Sequence, residues 1–140
     1  MFAQCRTFFD SEFYSSGTIV ATGNTGIIAT PHVSNGGLGV FPYAFLAVGS
    51  SMATDETNDI VIDWYTNSAG TGGAIGTTTF NQLTAGSPND LEVWPGDVTA
   101  FNAGRDLVAL FPYHKITYTL AGTSKSMSFI LYLSFFRFER

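Results

Sequence analysis

The last quarter of the sequence constrains the fold more than any other part of the chain. Residues 116–120 alternate apolar side chains with threonine, a period of two that is typical of a β-strand with one face in water. A short loop at 121–125 separates this strand from a second one. The second strand carries large apolar residues on one face: Met127, Phe129, Leu131, Leu133 and Phe135. The pattern predicts that the chain closes with a β-hairpin.

Short strand candidates separated by turn residues fill the rest of the chain. Residues 18–22 and 27–30 are β-branched runs joined through a Gly-Asn-Thr-Gly turn, which predicts another hairpin. Further candidates lie at 40–48, 59–66, 77–83, 90–93, 98–101 and 107–111. Roughly nine or ten strands at intervals of about ten residues favour a sandwich or barrel over alternating strands and helices. The predicted fold class is therefore all-β, an antiparallel β-sandwich that is jelly-roll-like and has an N-terminal arm.

The beginning of the chain is the one region where a helix is conceivable. Four residues between Phe2 and Phe13 would share a helical face, but Arg6 precedes Asp10, the less favourable order for a helical ion pair. We therefore divide the chain into an N-terminal arm or short helix at 1–16 and a β-sandwich domain at 17–140. The extended arm is the favoured interpretation of the first segment.

Charged residues are scarce, which bears on what the surface contacts. Asp, Glu, Lys and Arg make up 12% of the sequence, about half of the usual quarter. Because a surface in water needs charge to remain soluble, much of this surface is expected to contact other protein. The net charge of −5 and the six scattered basic residues argue against a nucleic-acid partner.

Length and patterning also limit where the protein functions. No apolar run approaches the ~18 residues of a membrane-spanning helix, so no membrane partner is predicted. Residues 1–14 are interrupted by Arg6, Asp10 and Glu12 and do not resemble a signal peptide. Cys5, the single cysteine, cannot form an intrachain disulfide. These features fit a protein kept in a reducing cytoplasm or assembled there into a particle.

Motifs for catalysis or metal binding are weak. His32 and His114 lie beside turn prolines without metal-ligand spacing, and we interpret both as turn or surface residues. The acidic cluster at 55–59 is interpreted as a solvated loop tip, with an ion site as the alternative. The glycine-rich stretch at 70–76 lacks the Lys-Ser/Thr end of a phosphate-binding loop. The sequence thus predicts no enzyme, no catalytic residue, no cofactor and no metal.

Two further groups supply alternative hypotheses. Trp64 alternates with Ile60 and Ile62 and is predicted to lie in the core. Trp94 opens a Pro-Gly-Asp turn and is the candidate ligand-facing residue of a glycan- or peptide-binding module. A small hydrolase built from Asp90, Glu92 or Asp97 is the remaining alternative.

The final strand is apolar on both faces, which predicts an interaction surface. A strand with one face in water should alternate, and one buried on both faces should not. Burial of apolar surface stabilises by about 25 cal/mol per Å2, so each exposed aromatic ring forgoes several kcal/mol. A covering partner is expected, either a neighbouring subunit or the N-terminal segment of the same chain. The predicted interface residues are Phe8, Phe9, Phe13, Ile130, Tyr132, Phe136, Arg137 and Phe138.

Residues 110–123 (LFPYHKITYTLAGT), continuing into 126–133 (SMSFILYL), resemble the closing strands of small structural proteins of tailed bacteriophages, of the capsid decoration or cement type. This resemblance implies a β-sandwich or jelly roll, often trimeric, that is seated on the capsid and locks neighbouring coat subunits. The expected function is therefore that of a non-enzymatic virion structural protein. Its expected partners are further copies of itself, in a trimer, and the major capsid protein or other virion proteins. A phage tail or neck component and a glycan- or peptide-binding module remain the alternatives.

Overall fold

The computed structural model describes residues 11–30, 44–93 and 112–134. These residues form strands, turns and bends, and none of them is helical. Ten strands build two antiparallel sheets, which confirms the predicted all-β antiparallel class. The strands are β1 (Ser11–Ser15), β2 (Gly23–Asn24), β3 (Ile28–Ala29), β4 (Ala44–Ser50), β5 (Thr57–Tyr65), β6 (Gly76–Thr79), β7 (Leu83–Thr84), β8 (Asn89–Val93), β9 (Tyr113–Ala121) and β10 (Ser128–Ser134).

The strands divide between a small and a large sheet. The small sheet has the order β1-β10-β4-β8. In the large sheet β2 and β3 pair with one side of β9, β5 pairs with its other side, and β6 and β7 pair with β5. Consecutive strands lie in different sheets at six points: between β1 and β2, β3 and β4, β4 and β5, β7 and β8, β8 and β9, and β9 and β10.

The core lies between the two sheets and follows the period-two pattern of the strands. In β5, burial alternates residue by residue, so that Ile60, Ile62 and Trp64 are fully buried. The core position predicted for Trp64 is confirmed. In β10, Phe129, Leu131 and Leu133 are likewise fully buried, as their shared face predicted.

Asn58 continues the inward row of β5, and its amide has no hydrogen-bond partner although the residue is 1% exposed. The loss of a partner for a buried polar group costs about 1–3 kcal/mol.

The predicted pairing of the strands was wrong in two places. The closing strands exist, but β9 and β10 belong to different sheets, so residues 121–125 carry the chain across the core instead of forming a hairpin. The runs at 18–22 and 27–30 also do not pair with each other. Ile19 bridges to Met127, whereas β2 and β3 both pair with β9.

Side chains explain the second discrepancy. The hydroxyl of Thr22 accepts a hydrogen bond from the backbone N–H of Leu120 (2.9 Å), and that of Thr25 accepts one from Ile116 (3.0 Å). Two threonines thus add side-chain hydrogen bonds to the ladder along β9, where the backbone N–H of Thr25 also donates to the carbonyl of Ile116 (3.0 Å). The predicted strand at 77–83 is also interrupted, since Phe80 turns into the core between β6 and β7. The candidates at 98–101 and 107–111 lie outside the described residues.

The end of the predicted N-terminal segment is a strand of the small sheet. Residues 11–15 are extended and pair with β10, while residues 1–10 lie outside the described part of the chain. The register shifts between Glu12 and Tyr14, which is the signature of a β-bulge. Phe13 is 7% exposed in the core, its ring 5.5 Å from that of Phe45, and the ring of Tyr14 lies 5.6 Å from that of Phe129. β1 therefore contributes the ring of Phe13 to the core and packs the partly buried ring of Tyr14 against it.

Replacement of Phe13 tests the contribution of β1 to the core. We expect Phe13→Ala to lower the free energy of unfolding by about 3–5 kcal/mol, because it leaves a cavity between the sheets. Urea denaturation followed by tryptophan fluorescence measures the loss. Val20→Ala is the control, since Val20 is 62% exposed and should change stability by no more than about 0.5 kcal/mol. Equal stability of the two variants would show that Phe13 is not a core residue.

Candidate interaction face

The outward side of β10 is apolar. Ile130 and Tyr132 alternate with the buried Phe129, Leu131 and Leu133, so they point away from the core, and both are half-buried. β10 lies between β1 and β4, which places this outward side in the middle of the small sheet.

Neighbouring strands extend the apolar surface. Val48 of β4 is opposite Ile130, and Leu46 is opposite Tyr132. Leu91 of β8 is in turn opposite Leu46 and is 38% exposed. Directly opposed residues of antiparallel strands have Cβ atoms about 4.5–5.5 Å apart and share one side of the sheet. We call this continuous patch, formed by Leu46, Val48, Leu91, Ile130 and Tyr132, the apolar face.

The polar residues beside the apolar face include two serines, Asn89, which is opposite Val48, and Glu12. Ser50 and Ser128 lie next to it, with their Oγ atoms 2.6 Å apart. Glu12 of β1 is opposite Tyr132 and is exposed. The four strands of the small sheet contain three carboxylates (Glu12, Asp90 and Glu92) and no basic residue. Asp90 and Glu92 alternate with Leu91 and are paired with Ala47 and Phe45, so of these three carboxylates only Glu12 shares a side with the apolar face.

The large sheet has an outward side of a different character. Asp63 of β5 accepts a hydrogen bond from the hydroxyl of Thr77 (3.0 Å), and the ammonium of Lys115 lies 4.0 Å from its carboxylate. Most outward residues of β5, β6 and β9 are likewise polar: Thr57, Asp59, Asp63, Thr77, Thr79, Lys115, Thr117 and Thr119. One sheet thus presents side chains suited to water, and the other does not.

The structure describes three of the eight predicted interface residues. Ile130 and Tyr132 lie on the apolar face. Phe13 belongs to the interior of its own chain, so it cannot serve as an interface residue in this fold. Phe8, Phe9, Phe136, Arg137, Phe138 and the ligand-facing candidate Trp94 lie outside the described residues.

Sequence reasoning missed the contributions of β4 and β8 to the apolar face. Residues 45–48 are apolar on both faces of their strand, the same pattern that identified β10. The sequence alone could therefore have predicted Leu46 and Val48 as surface apolar residues. Leu91 gave no such signal, because it lies between Asp90 and Glu92. Its place on the apolar face depends on pairing with Leu46, a contact between distant parts of the sequence.

The acidic cluster at 55–59 has structural roles, which corrects its interpretation as a solvated loop tip. Glu56 is 2% exposed and accepts hydrogen bonds from the backbone N–H groups of Ala53 (2.7 Å) and Ser126 (3.0 Å). Asp55 accepts one from the N–H of Thr123 (2.9 Å), and this bond lowers the pKa of its carboxyl. Two carboxylates thereby hold the connection between β9 and β10. No group of three His, Cys, Asp or Glu side chains in the described ranges is arranged to hold a metal ion.

Gly122 makes this arrangement possible, which a substitution can test. Its φ of +132° is unfavourable for other residues, and an added Cβ would lie 2.9 Å from Cγ of Glu56. We expect Gly122→Ala to lower the free energy of unfolding by about 1–3 kcal/mol, measured by chemical denaturation. Gly72→Ala is the matched control, because φ is +87° there but no atom lies within 4 Å of the added Cβ. A larger loss in Gly72→Ala than in Gly122→Ala would contradict the close packing against Glu56.

His114 is a core residue, so its interpretation as a turn or surface residue was wrong. It is 1% exposed, and its ring lies 4.7 Å from that of Phe13 and 5.9 Å from that of Trp64. Its Nδ1 atom is 3.0 Å from the hydroxyl of Thr30, which is also buried. Burial lowers the pKa of His114 from 6.5 to about 4, so the ring is neutral at pH 7. His32 lies outside the described residues.

This burial predicts a loss of stability in acid. Because the pKa of His114 is about 4 in the folded chain and 6.5 when unfolded, the unfolded chain binds more protons between these values. The stabilisation is complete above pH 6.5, falls as the pH decreases to about 4, and changes by about 3 kcal/mol in total. Denaturation of the wild type and of His114→Gln at intervals from pH 7 to pH 4 measures the difference in slope. Asp55 titrates in both proteins, so its contribution cancels, and parallel curves would contradict the prediction.

The remaining candidates for chemistry are separated or engaged in local bonds. Asp90 accepts hydrogen bonds from the backbone N–H of Asn81 (2.8 Å) and from its side-chain amide (3.1 Å). Glu92 follows in β8, while Asp97 and Cys5 lie outside the described residues. Among the groups that the structure describes, no serine, histidine and carboxylate share hydrogen bonds in the manner of a nucleophilic triad.

Comparison of the chain with protein-family models, with curated proteins and with solved structures gives no match. None of the described residues belongs to a helix with the length and apolar character needed to span a membrane.

Proposed function

We propose that the chain is a non-enzymatic structural protein of a virion, a capsid decoration or cement protein that stabilises the coat lattice. The observation that carries this proposal is the contrast between the two outward sides of the sandwich. The large sheet presents threonine, aspartate and lysine to water, whereas the small sheet presents Leu46, Leu91, Ile130 and their neighbours. An apolar sheet side on a chain so poor in charge is suited to contact with other protein subunits.

The modest size of the apolar face suits a role in a lattice. Leu91 is 38% exposed and the other four residues are half-buried. The exposed area is thus on the order of a few hundred Å2, against about 800 Å2 per partner in a standard stable interface. A single contact of this size is weak, but several contacts made at once by an oligomer on an ordered surface become strong. A homotrimer seated on the major capsid protein has this property.

Strand order supports the jelly-roll form of the proposal. In a jelly roll, two Greek keys place consecutive strands alternately in two four-stranded sheets. If β2 with β3 and β6 with β7 are each counted as one interrupted strand, each sheet has four strands. Consecutive strands then alternate between the sheets except at β5 and β6, an order that is compatible with a jelly roll. Jelly rolls include viral capsid domains and also lectins, so such a fold is compatible with the proposed function but does not identify it. The apolar face carries the argument.

Binding to assembled particles tests the function. We expect the full chain to co-sediment saturably with coat shells from the same source and to raise the temperature at which the shells release subunits. Val20→Lys is the control, since Val20 is 62% exposed and is not one of the residues of the apolar face. Absence from the particles, together with glycan binding that is lost in Trp94→Ala, would replace the proposal with the binding-module alternative.

Deletion of residues 136–140 provides a second test of the proposed function. We expect removal of residues 136–140 to abolish self-association or particle binding, because the deletion takes away Phe136, Arg137 and Phe138. The described strands should remain folded, since all ten of them end at or before Ser134. Sedimentation velocity measures the oligomer, and circular dichroism measures the β-structure. An unchanged oligomer after the deletion would count against the proposal.

A further inference from the structure

Asn58, near the start of β5, has a buried side-chain amide that no other group of the protein binds. Its Oδ1 and Nδ2 atoms are both shielded from solvent, and neither has a hydrogen-bond partner. The other buried polar side chains of the described ranges each have a partner: Thr30, Glu56, Thr78 and His114. Because an amide gives up its bonds to water when it enters the core, an amide that stays unbonded there needs a physical explanation.

The neighbours of Asn58 in the large sheet cannot satisfy its amide. Asn58 is opposite Leu83 of β7 on one side and Leu120 of β9 on the other, and both leucines are buried. Ile60, the next inward residue of β5, is also buried. Aliphatic side chains offer neither donor nor acceptor in any rotamer. Exchange of the Oδ1 and Nδ2 positions does not help either, because both positions lack a partner.

Glu56 is the nearest polar side chain along the strand that is buried with Asn58. Each of its carboxylate oxygens accepts one hydrogen bond from a backbone N–H, that of Ala53 or that of Ser126. A carboxylate oxygen has two acceptor positions, so each oxygen can accept one more bond. About 6.6 Å separates the Cα atoms of residues i and i+2 in an extended chain. Two hydrogen bonds of about 2.8 Å in series, through one small molecule, can bridge side chains at this spacing.

Water has the chemistry and the size that this position requires. A water molecule can accept a bond from Nδ2–H of Asn58 or donate one to Oδ1, and it can donate another to the carboxylate of Glu56. Internal waters typically bind buried polar groups that would otherwise be unsatisfied. A larger ligand would have to displace the close-packed leucines. A calcium-like cation takes several oxygen ligands, whereas no group of three His, Cys, Asp or Glu in the described ranges is arranged to hold a metal ion.

We propose that Asn58 binds an internal water molecule, which the carboxylate of Glu56 also binds. The site is independent of the proposed function, because it lies between the sheets and needs no partner protein. The water extends the hydrogen bonds of Glu56 into the core. Through Glu56 it links β5 to the connection before it, at Ala53, and to the connection between β9 and β10, at Ser126. The polar residue in the core thereby becomes part of one satisfied network.

Cross-relaxation between water and protein protons, measured by NMR spectroscopy, tests the site. In the wild type we expect signals of a long-lived internal water at the side-chain amide of Asn58, the γ-methylene of Glu56 and the methyl groups of Leu83 and Leu120. Asn58→Leu has a similar shape without the polar group, so it should abolish the signals at both leucines. Ile60→Val is the matched control: it shortens the next inward side chain of β5, removes no polar group and should retain all the signals.

The remaining outcomes contradict the proposal. Absence of the signal at the Asn58 amide of the wild type overturns it, whatever the variants do. A signal at Asn58 without one at Glu56 shows that the two side chains do not share a water molecule. Leucine signals that persist in Asn58→Leu come from exchanging hydroxyl protons or from another water, and they would remove Asn58 as the binding group. Circular dichroism shows whether each variant retains the β-structure.

Discussion

A cluster of four aromatic rings holds the two sheets together, and the rest of the structure depends on it. Phe13 of β1 and Phe45 of β4 come from the small sheet, and Trp64 of β5 and His114 of β9 come from the large one. Their ring centroids lie 4.7–6.1 Å apart across the interior. Because successive side chains of a strand point to opposite sides, fixing these rings inward also fixes every outward residue. The apolar face is thus a consequence of the core.

This coupling of inside to outside explains why the two sheets differ. In β5 and β9 the residues of opposite parity to the core are mostly threonines and charged groups, which water solvates. In β4 and β10 the same parity is occupied by Leu46, Val48, Ile130 and Tyr132, and no shift of register can hide them without exposing Phe45 or Phe129. The outward position of these apolar residues is therefore fixed by the strands themselves. A loop could change its conformation and bury such residues, whereas a strand in the middle of a sheet is held by pairing on both sides.

Local patterns in the sequence predicted the faces of the strands, but they did not predict pairing. The period of two in β5 and β10 identified the buried residues, because burial depends on neighbours along one strand. Strand pairing depends on contacts between segments that are distant in the sequence. The residues at 23–26 and at 121–125 have the composition of hairpin turns, although the strands on either side of each do not pair with each other. The core position of His114 could have been predicted, because His114 lies on the same face of β9 as the buried Ile116. Pro112, two residues before His114, indicated a turn instead.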